Sequence, residues 1–380
     1  MNLACHFVSD VRHTIPATFT EFFVPQSMAP DAIKIDGSHG EGGGQIIRTS
    51  MALAIVTQRS VCIENIRARR SKPGLKRQHL TAVRAASEIC DGDLTGDEIN
   101  SAEIWFQPGR VRSGEFRFSI GTAGSSILVL QTVLPPLLTA DGPSTLILEG
   151  GTHNQWAPTF DFLNRAYLPL VNRMGVCVKA TLERHGFYPA GGGRVVVHIT
   201  PSPTLAGFDL TECGRVVSQH VTAIVSKLPS HIGVREIKQA TRKLNWRTDL
   251  SQNLTVDSAG PGNVVTAFVE CENVCEVFTA IGRQGIAAEK VADEVVRATR
   301  RWKKVGAPVG EYLADQILLP LALSAHRMHN ADIQRGGTFR TGPLSLHART
   351  HVELLQEFLN IKIEVSESDG VTTCSVLPKN

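Results

Sequence analysis

A chain of 380 residues, 42% hydrophobic and 20% charged, has the composition of a soluble globular protein with room for two domains, or for one large domain carrying an insertion. Its formal net charge of +3 is too small to imply a nucleic-acid partner, so charge placement must decide that question. The longest apolar run, Ile127 to Leu138, is interrupted by Gln131, Pro135 and Pro136, and no membrane partner is expected.

Residues 1–30 lack the basic start and long apolar core of a secretory signal and read as a loosely ordered extension. Residues 33–36 read as a short strand entering Gly37-Ser38-His39-Gly40-Glu41-Gly42-Gly43-Gly44, and an apolar helix follows from Ile46 to Thr57. The glycines permit positive φ and close backbone approach, and the N–H groups opening the helix would face an anion. Residues 61–66 are strand-like and run into Arg67, Arg69, Arg70, Lys72, Lys76 and Arg77, a cationic cluster with no acid inside it. Pro73 and Gly74 then mark the start of a helix from Leu75 to Cys90. A second unit begins near Gly114. Phe116, Phe118 and Ile120 alternate as a strand, Gly121 to Ser126 opens an apolar helix carrying Gln131, and residues 145–148 form a strand ending at Glu149-Gly150-Gly151-Thr152-His153-Asn154. A helix is expected from about Pro158 to Met174, and strands 176–182 and 194–199 flank the loop Gly186 to Gly193. Glycine-rich connections recur, which suggests a repeated α/β unit without a fixed sequence period.

From about residue 206 the texture changes. Residues 204–215 have linker character, 220–228 and 264–270 read as strands, and 232–244 as a helix. An amphipathic helix follows at 285–304, with Val291, Val295, Ala298 and Trp302 on one stripe. Its Arg300, Arg301, Lys303 and Lys304 complement the helix dipole without any RNA. Residues 206–305 are read as an inserted smaller domain between the two parts, 31–205 and 306–380, of a large one. A buried helix at 310–325, a loop, a helix near His351 to Leu359, and strands 361–365 and 372–377 complete the chain. Eight scattered cysteines, the closest pair being Cys271 and Cys275, argue against a disulfide scaffold or zinc ribbon and for a reducing cytoplasm.

There is no GxxxxGK[ST] loop, and Gly40 to Gln45 fails GxGxxG at its last position. His347-Ala348-Arg349-Thr350-His351 has histidines at i, i+4 but lacks the glutamate of HExxH, so zinc there rests on spacing alone. Lys34-Ile35-Asp36-Gly37 matches KxDG, the surroundings of the nucleophilic lysine in polynucleotide ligases and capping enzymes. That family's later acidic and lysine motifs do not follow, and a lysine at a strand edge is the preferred reading.

The ordered set D-G-S-x-G-E-G-G-G-Q-I-x-R-T (36–49), N-I-R-A-R-R-S-K-P-G-L-K-R-Q-H-L (65–80), G-T-A-G-S-S (121–126), G-G-T-H-N (150–154), G-F-Y-P-A-G-G-G (186–193), E-Y-L-A-D-Q (311–316) and S-L-H-A-R-T-H-V-E (345–353) resembles the RNA 3′-terminal phosphate cyclase family. The likeness runs from about Ile33 to the C-terminus. It implies an α+β fold: a large domain of repeated units, each a four-stranded sheet backed by two helices, with an inserted smaller α/β domain. It also implies ATP and Mg²⁺ (or Mn²⁺) as co-substrate and metal, RNA 3′-phosphate ends as substrate, and a covalent histidine–AMP intermediate at His347. By the same match Gln131, Pro158, Tyr312, Asp315 and Gln316 would bind ATP, and Glu41 the metal. Arg48, Arg67, Arg70, Gln78 and His79 would meet the RNA terminal phosphate. His326, His329 and His351 have no such support and read as structural. Two alternatives stand beside this: a cyclase-like protein of ribosome assembly without the activity, and a nucleotidyltransferase using Lys34.

Overall fold

The computed structural model describes residues 32–326 and 333–379, so the extension at 1–30 and His329 lie outside the described residues. The first unit runs β1 (Ile33–Asp36), α1 (Gly44–Thr57), β2 (Val61–Glu64), α2 (Arg77–Glu88), β3 (Asp93–Thr95) and β4 (Ile104–Gln107). Its sheet has the order β1-β2-β4-β3, with β1 and β2 parallel across a helical crossover and the other pairs antiparallel. The second unit repeats the plan with β5 (Gly114–Ser119), α3 (Ser126–Leu137), β6 (Ser144–Gly150), short helices α4 (Phe160–Phe162) and α5 (Leu168–Asn172), β7 (Cys177–Arg184) and β8 (Gly193–Thr200), in the order β5-β6-β8-β7. The single helix expected at 158–174 is therefore interrupted, by a π turn at Leu163–Tyr167. Pro169 has no N–H to donate back along the helix, and the Leu168 N–H reaches Leu163 instead.

The inserted segment forms β9 (Val216–Ser226), α6 (His231–Leu244), β10 (Gln252–Thr255), β11 (Gly262–Cys271), β12 (Cys275–Ile281) and α7 (Ala288–Val305), with sheet order β10-β9-β11-β12. A separate apolar cluster holds it together, Val221 and Val265 of the sheet meeting Ile237 of α6 and Val291 and Val295 of α7. The basic end of α7 is locally satisfied: Arg300 donates to the Lys243 carbonyl, and Lys303 donates to Gln219 and lies 5.1 Å over the Trp246 ring. Cys213 and Cys271 are disulfide-bonded, which corrects the expectation from cysteine spacing; the bridge ties the entry of the insertion to the end of β11, a pairing that local spacing does not reveal. Among the described residues it is one bridge, and Cys62, Cys90, Cys177, Cys275 and Cys374 are free.

The third unit contains α8 (Glu311–His326), β13 (Gly337–Thr341), α9 (Leu346–Phe358), β14 (Ile361–Ser368) and β15 (Val371–Pro378). Its sheet, β13-β15-β14, lacks a full first strand, but Leu210 makes a parallel bridge to Phe339 in that place. The insertion thus interrupts the third unit between its vestigial first strand and its first helix. One apolar core joins the three units, with Ile47, Met51 and Leu53 of α1, Val133 and Leu134 of α3, and Leu313 and Leu318 of α8 all buried. This is the α+β repeat architecture. Among the described residues no helix is long and apolar enough to cross a membrane.

Candidate active site

The glycine loop is shaped by close contacts on both sides. Asp36 closes β1 by accepting the Ser38 N–H at 2.9 Å and its hydroxyl at 2.8 Å; these bonds, the backbone one foremost, lower the Asp36 pKa. A Cβ on Gly37 would stand 2.9 Å from the Glu64 carbonyl, and Gly40 and Gly42 take φ of 53° and 58°. On its outer side the loop rests on α9: a Cβ on Gly40 would strike Thr350, and His39 pairs with Glu353 at 2.7 Å. Residues 314 positions apart are thereby brought together.

Ser345 decides where His347 sits. Its side chain accepts the Ala348 N–H at 3.1 Å and caps α9, so the helix starts at Leu346 rather than near His351, and His347 falls in its first turn. His347 Nδ1 lies 3.0 Å from Asp315 Oδ1, and its Nε2 lies 3.5 Å from Glu41 Oε2. Asp315 is buried on α8, yet it stays ionised. Burial alone would raise its pKa, but the bonds from His347 and His351 outweigh that and hold the carboxyl far below the ordinary carboxylate range. Gln45 Nε2 also donates to Oδ1 at 2.7 Å, Gln316 Nε2 donates to Oδ2 at 2.9 Å, and His351 Nδ1 lies 3.2 Å from Oδ1. Gln131 of α3 in turn donates to Gln316. Burial pulls the His347 pKa down, but Asp315 and then Glu41 more than offset this, and the net shift is upward.

The cations approach from α1 and α2. Arg48 is buried, and desolvation pushes its pKa down to about 10 against the pull of Asp315 and Glu41, so it remains charged at neutral pH. Burial, helped by Arg48, Arg67 and Lys76, pushes His79 down to about 3. His79 Nδ1 accepts the Lys76 N–H at 3.2 Å, which places the proton of the neutral ring on Nε2. A Cβ on Gly44 would come 2.6 Å from that Nε2 and 2.8 Å from Arg48 Nη1, so glycine keeps open the space where both donors meet the start of α1. Arg70 donates to the Glu41 carbonyl at 3.0 Å and ion-pairs with its carboxylate.

Other expected residues lie further out. Arg67 donates to the carbonyls of Lys72 at 2.8 Å and Gly74 at 3.1 Å, shaping the basic loop. Gln78 accepts the Ser125 N–H at 3.1 Å and joins α2 to the glycine loop of the second unit. Tyr312 exposes 72% of its surface on α8, and Pro158 is half-buried ahead of α4; neither joins the bonded cluster. Gln45 and His351 were not predicted as site residues. A glutamine at the head of an apolar helix needs a buried partner, and a histidine one turn beyond His347 shares its face; these were the available signals. Lys34 points to the solvent side of β1, where it lines a pocket with Arg59 and Glu357. Among the described residues no three His, Cys, Asp or Glu side chains are grouped to hold a metal. Glu41 offers one hard oxygen donor, which suits a magnesium ion that takes one carboxylate and otherwise phosphate and water oxygens.

An oriented imidazole next to Glu41 and its partner Arg70, with Arg48 and the neutral His79 N–H meeting at the start of α1, has the chemistry to attack phosphorus and stabilise the charge that builds there. On this fold, assembled from repeated units, the arrangement suits chemistry at phosphorus. Residues 39–365 match the family model described as RNA 3′-terminal phosphate cyclase. Proteins of that name from Ectopseudomonas mendocina (strain ymp) and Koribacter versatilis (strain Ellin345) are 44% and 45% identical, over 90% and 89% of this chain and 97% and 93% of their own. One from Salmonella paratyphi C (strain RKS4594) is 42% identical over 92% of this chain and 98% of its own. The chain belongs to the RNA 3′-terminal phosphate cyclase family and is a ligase forming phosphoric ester bonds.

Proposed function

We propose that the chain converts an RNA 3′-phosphate to a 2′,3′-cyclic phosphate through a histidine–AMP intermediate. His347 Nε2 attacks the α-phosphorus of ATP, the bond to the β-phosphate oxygen breaks, and pyrophosphate leaves. An oxygen of the RNA 3′-phosphate then displaces the histidine and takes the AMP. Finally the neighbouring 2′-hydroxyl attacks that activated 3′-phosphorus, loses its proton and expels AMP. A phosphate oxygen is a poor leaving group until adenylylated, and the vicinal hydroxyl already lies near its target.

The carrying observation is the bond from His347 Nδ1 to the ionised Asp315, which fixes the proton on Nδ1 and turns the Nε2 lone pair toward Glu41. Arg48, Arg70 and the His79 Nε2–H would receive the phosphates, and Gln131, Gln316, Tyr312 and Pro158 the nucleoside. Glu41 would hold Mg²⁺ (or Mn²⁺), which when bound neutralises phosphate charge. In this reading Arg67 and Gln78 shape the RNA-end side. The proposed setting is the cytoplasm, on the strength of the free cysteines, with Cys213–Cys271 the exception. Incubation with α-labelled ATP and Mg²⁺ tests the reading. The expected adduct is an acid-labile phosphoramidate, lost in His347→Ala and kept in Lys34→Ala. An adduct surviving His347→Ala would overturn the histidine assignment, and no adduct at all would favour the non-catalytic alternative.

A further inference from the structure

Three glycine-rich loops of the second unit pack into one cluster beside the site. Gly151 N–H donates to the Gly124 carbonyl at 2.7 Å, Asn154 donates to the Ala123 carbonyl, and Thr152 N–H donates to the Gly186 carbonyl at 2.9 Å. Beneath them the rings of His153, His185 and Phe187 stack with centroids 5.4–6.0 Å apart, and His153 Nε2 is held by Asp161 at 3.0 Å. The platform is joined to the first unit by the bond between Ser125 and Gln78, the residue before His79.

Two large aromatics on it are exposed among the described residues. Trp156 is 98% exposed, with φ of 62°, and Tyr188 is 78% exposed. Each lies within three residues of the bridge between His153 and Phe187 that ties their loops together. Cations flank them. Arg184 donates through Nε to the Gly192 carbonyl, and Lys227 donates to the Ala259 carbonyl at 3.0 Å, with Ala259 against Gly192; both side chains carry further donors. Exposed aromatic faces interleaved with cations form the chemistry that holds single-stranded nucleic acid without reading its sequence.

We propose that this loop cluster carries the RNA strand on the 5′ side of the reacting end, with Trp156 and Tyr188 as stacking faces for unpaired bases and Arg184 and Lys227 at its phosphates. The assignment rests on the reading of the Arg48–His79 region as the RNA-end site. It predicts that affinity grows with RNA length past the terminal nucleotide, and that the growth depends on the two rings.

Binding of 3′-phosphorylated RNA of one and of six nucleotides to the full chain tests this. Trp156→Ala and Tyr188→Ala should each weaken the six-mer about 10-fold, Trp156→Phe less, and leave the single nucleotide within about two-fold. The ATP concentration for half-maximal adenylylation without RNA should stay that of the wild type. Unchanged six-mer affinity in both alanine variants would overturn the proposal. So would a raised ATP requirement with unchanged six-mer affinity, which would give Trp156 to the adenine. A wild-type chain that forms no adduct, yet loses six-mer affinity in Trp156→Ala, would overturn the histidine mechanism and support the RNA track.

Discussion

Two buried carboxylates, one in the repeat domain and one in the inserted segment, are shifted in opposite directions. Asp315 collects donors from Gln45, Gln316, His347 and His351, and its carboxyl is held far below the ordinary range. Glu276 of β12 receives the Gly310 N–H at 2.6 Å just ahead of α8, and burial pushes it up to about 8. Burial is similar in the two, so the number and charge of the donors decide. Four polar side chains hold Asp315 ionised in a desolvated place, as a carboxylate serving the proposed nucleophile His347 would need.

The largest effect should come from removing the charge on the Asp315 side. Asp315→Asn is expected to slow adenylylation on the order of 10³-fold, because the amide no longer fixes the proton on Nδ1. Asp315 raises the His347 pKa and attack needs the neutral ring, so the acidic limb of the rate profile should move to lower pH in this variant. A limb that stays in place would separate the two residues functionally.

Glu276→Gln tests the other side. With a folded pKa of about 8 against an ordinary 4.5, the folded chain binds the extra proton between these values, so stability falls as pH rises through that window. Glutamine does not ionise. The variant should match the wild type at pH 4 and exceed it by ~5 kcal/mol at pH 9 in denaturant unfolding. Equal stability at pH 9 would show that Glu276 is ionised there without penalty.

The smallest effects should come from single donors. Gln45→Ala and His351→Ala each leave Asp315 one bond short, and each should slow adenylylation about 10-fold. If His351→Ala costs nothing in rate and only lowers the melting temperature, its role is packing alone.

How much of this was legible depended on where the physical signal lay. Helix α1 follows a glycine loop and is apolar from Met51 to Val56, and α3 begins at a serine cap, so both were readable. Strand β3 is three residues long and β10 is exposed along its length, so neither shows alternation. β13 does alternate, but it lay in a stretch read as loop. The third repeat was obscured more deeply, since its first strand survives as the bridge at Leu210 and the inserted segment separates that from α8.

By itself the sequence determined the order of units, the glycine loops and, through family likeness, the prominence of His347, Asp315 and Glu41. Those are local patterns and chemical identities. Only the tertiary structure decided that Gln45 and His351 share Asp315 with His347, that Arg70 answers Glu41, and that Cys213 meets Cys271. A buried polar side chain announces that it needs a partner. Which partner it finds depends on how helices from different repeats pack, and that is a property of the folded core.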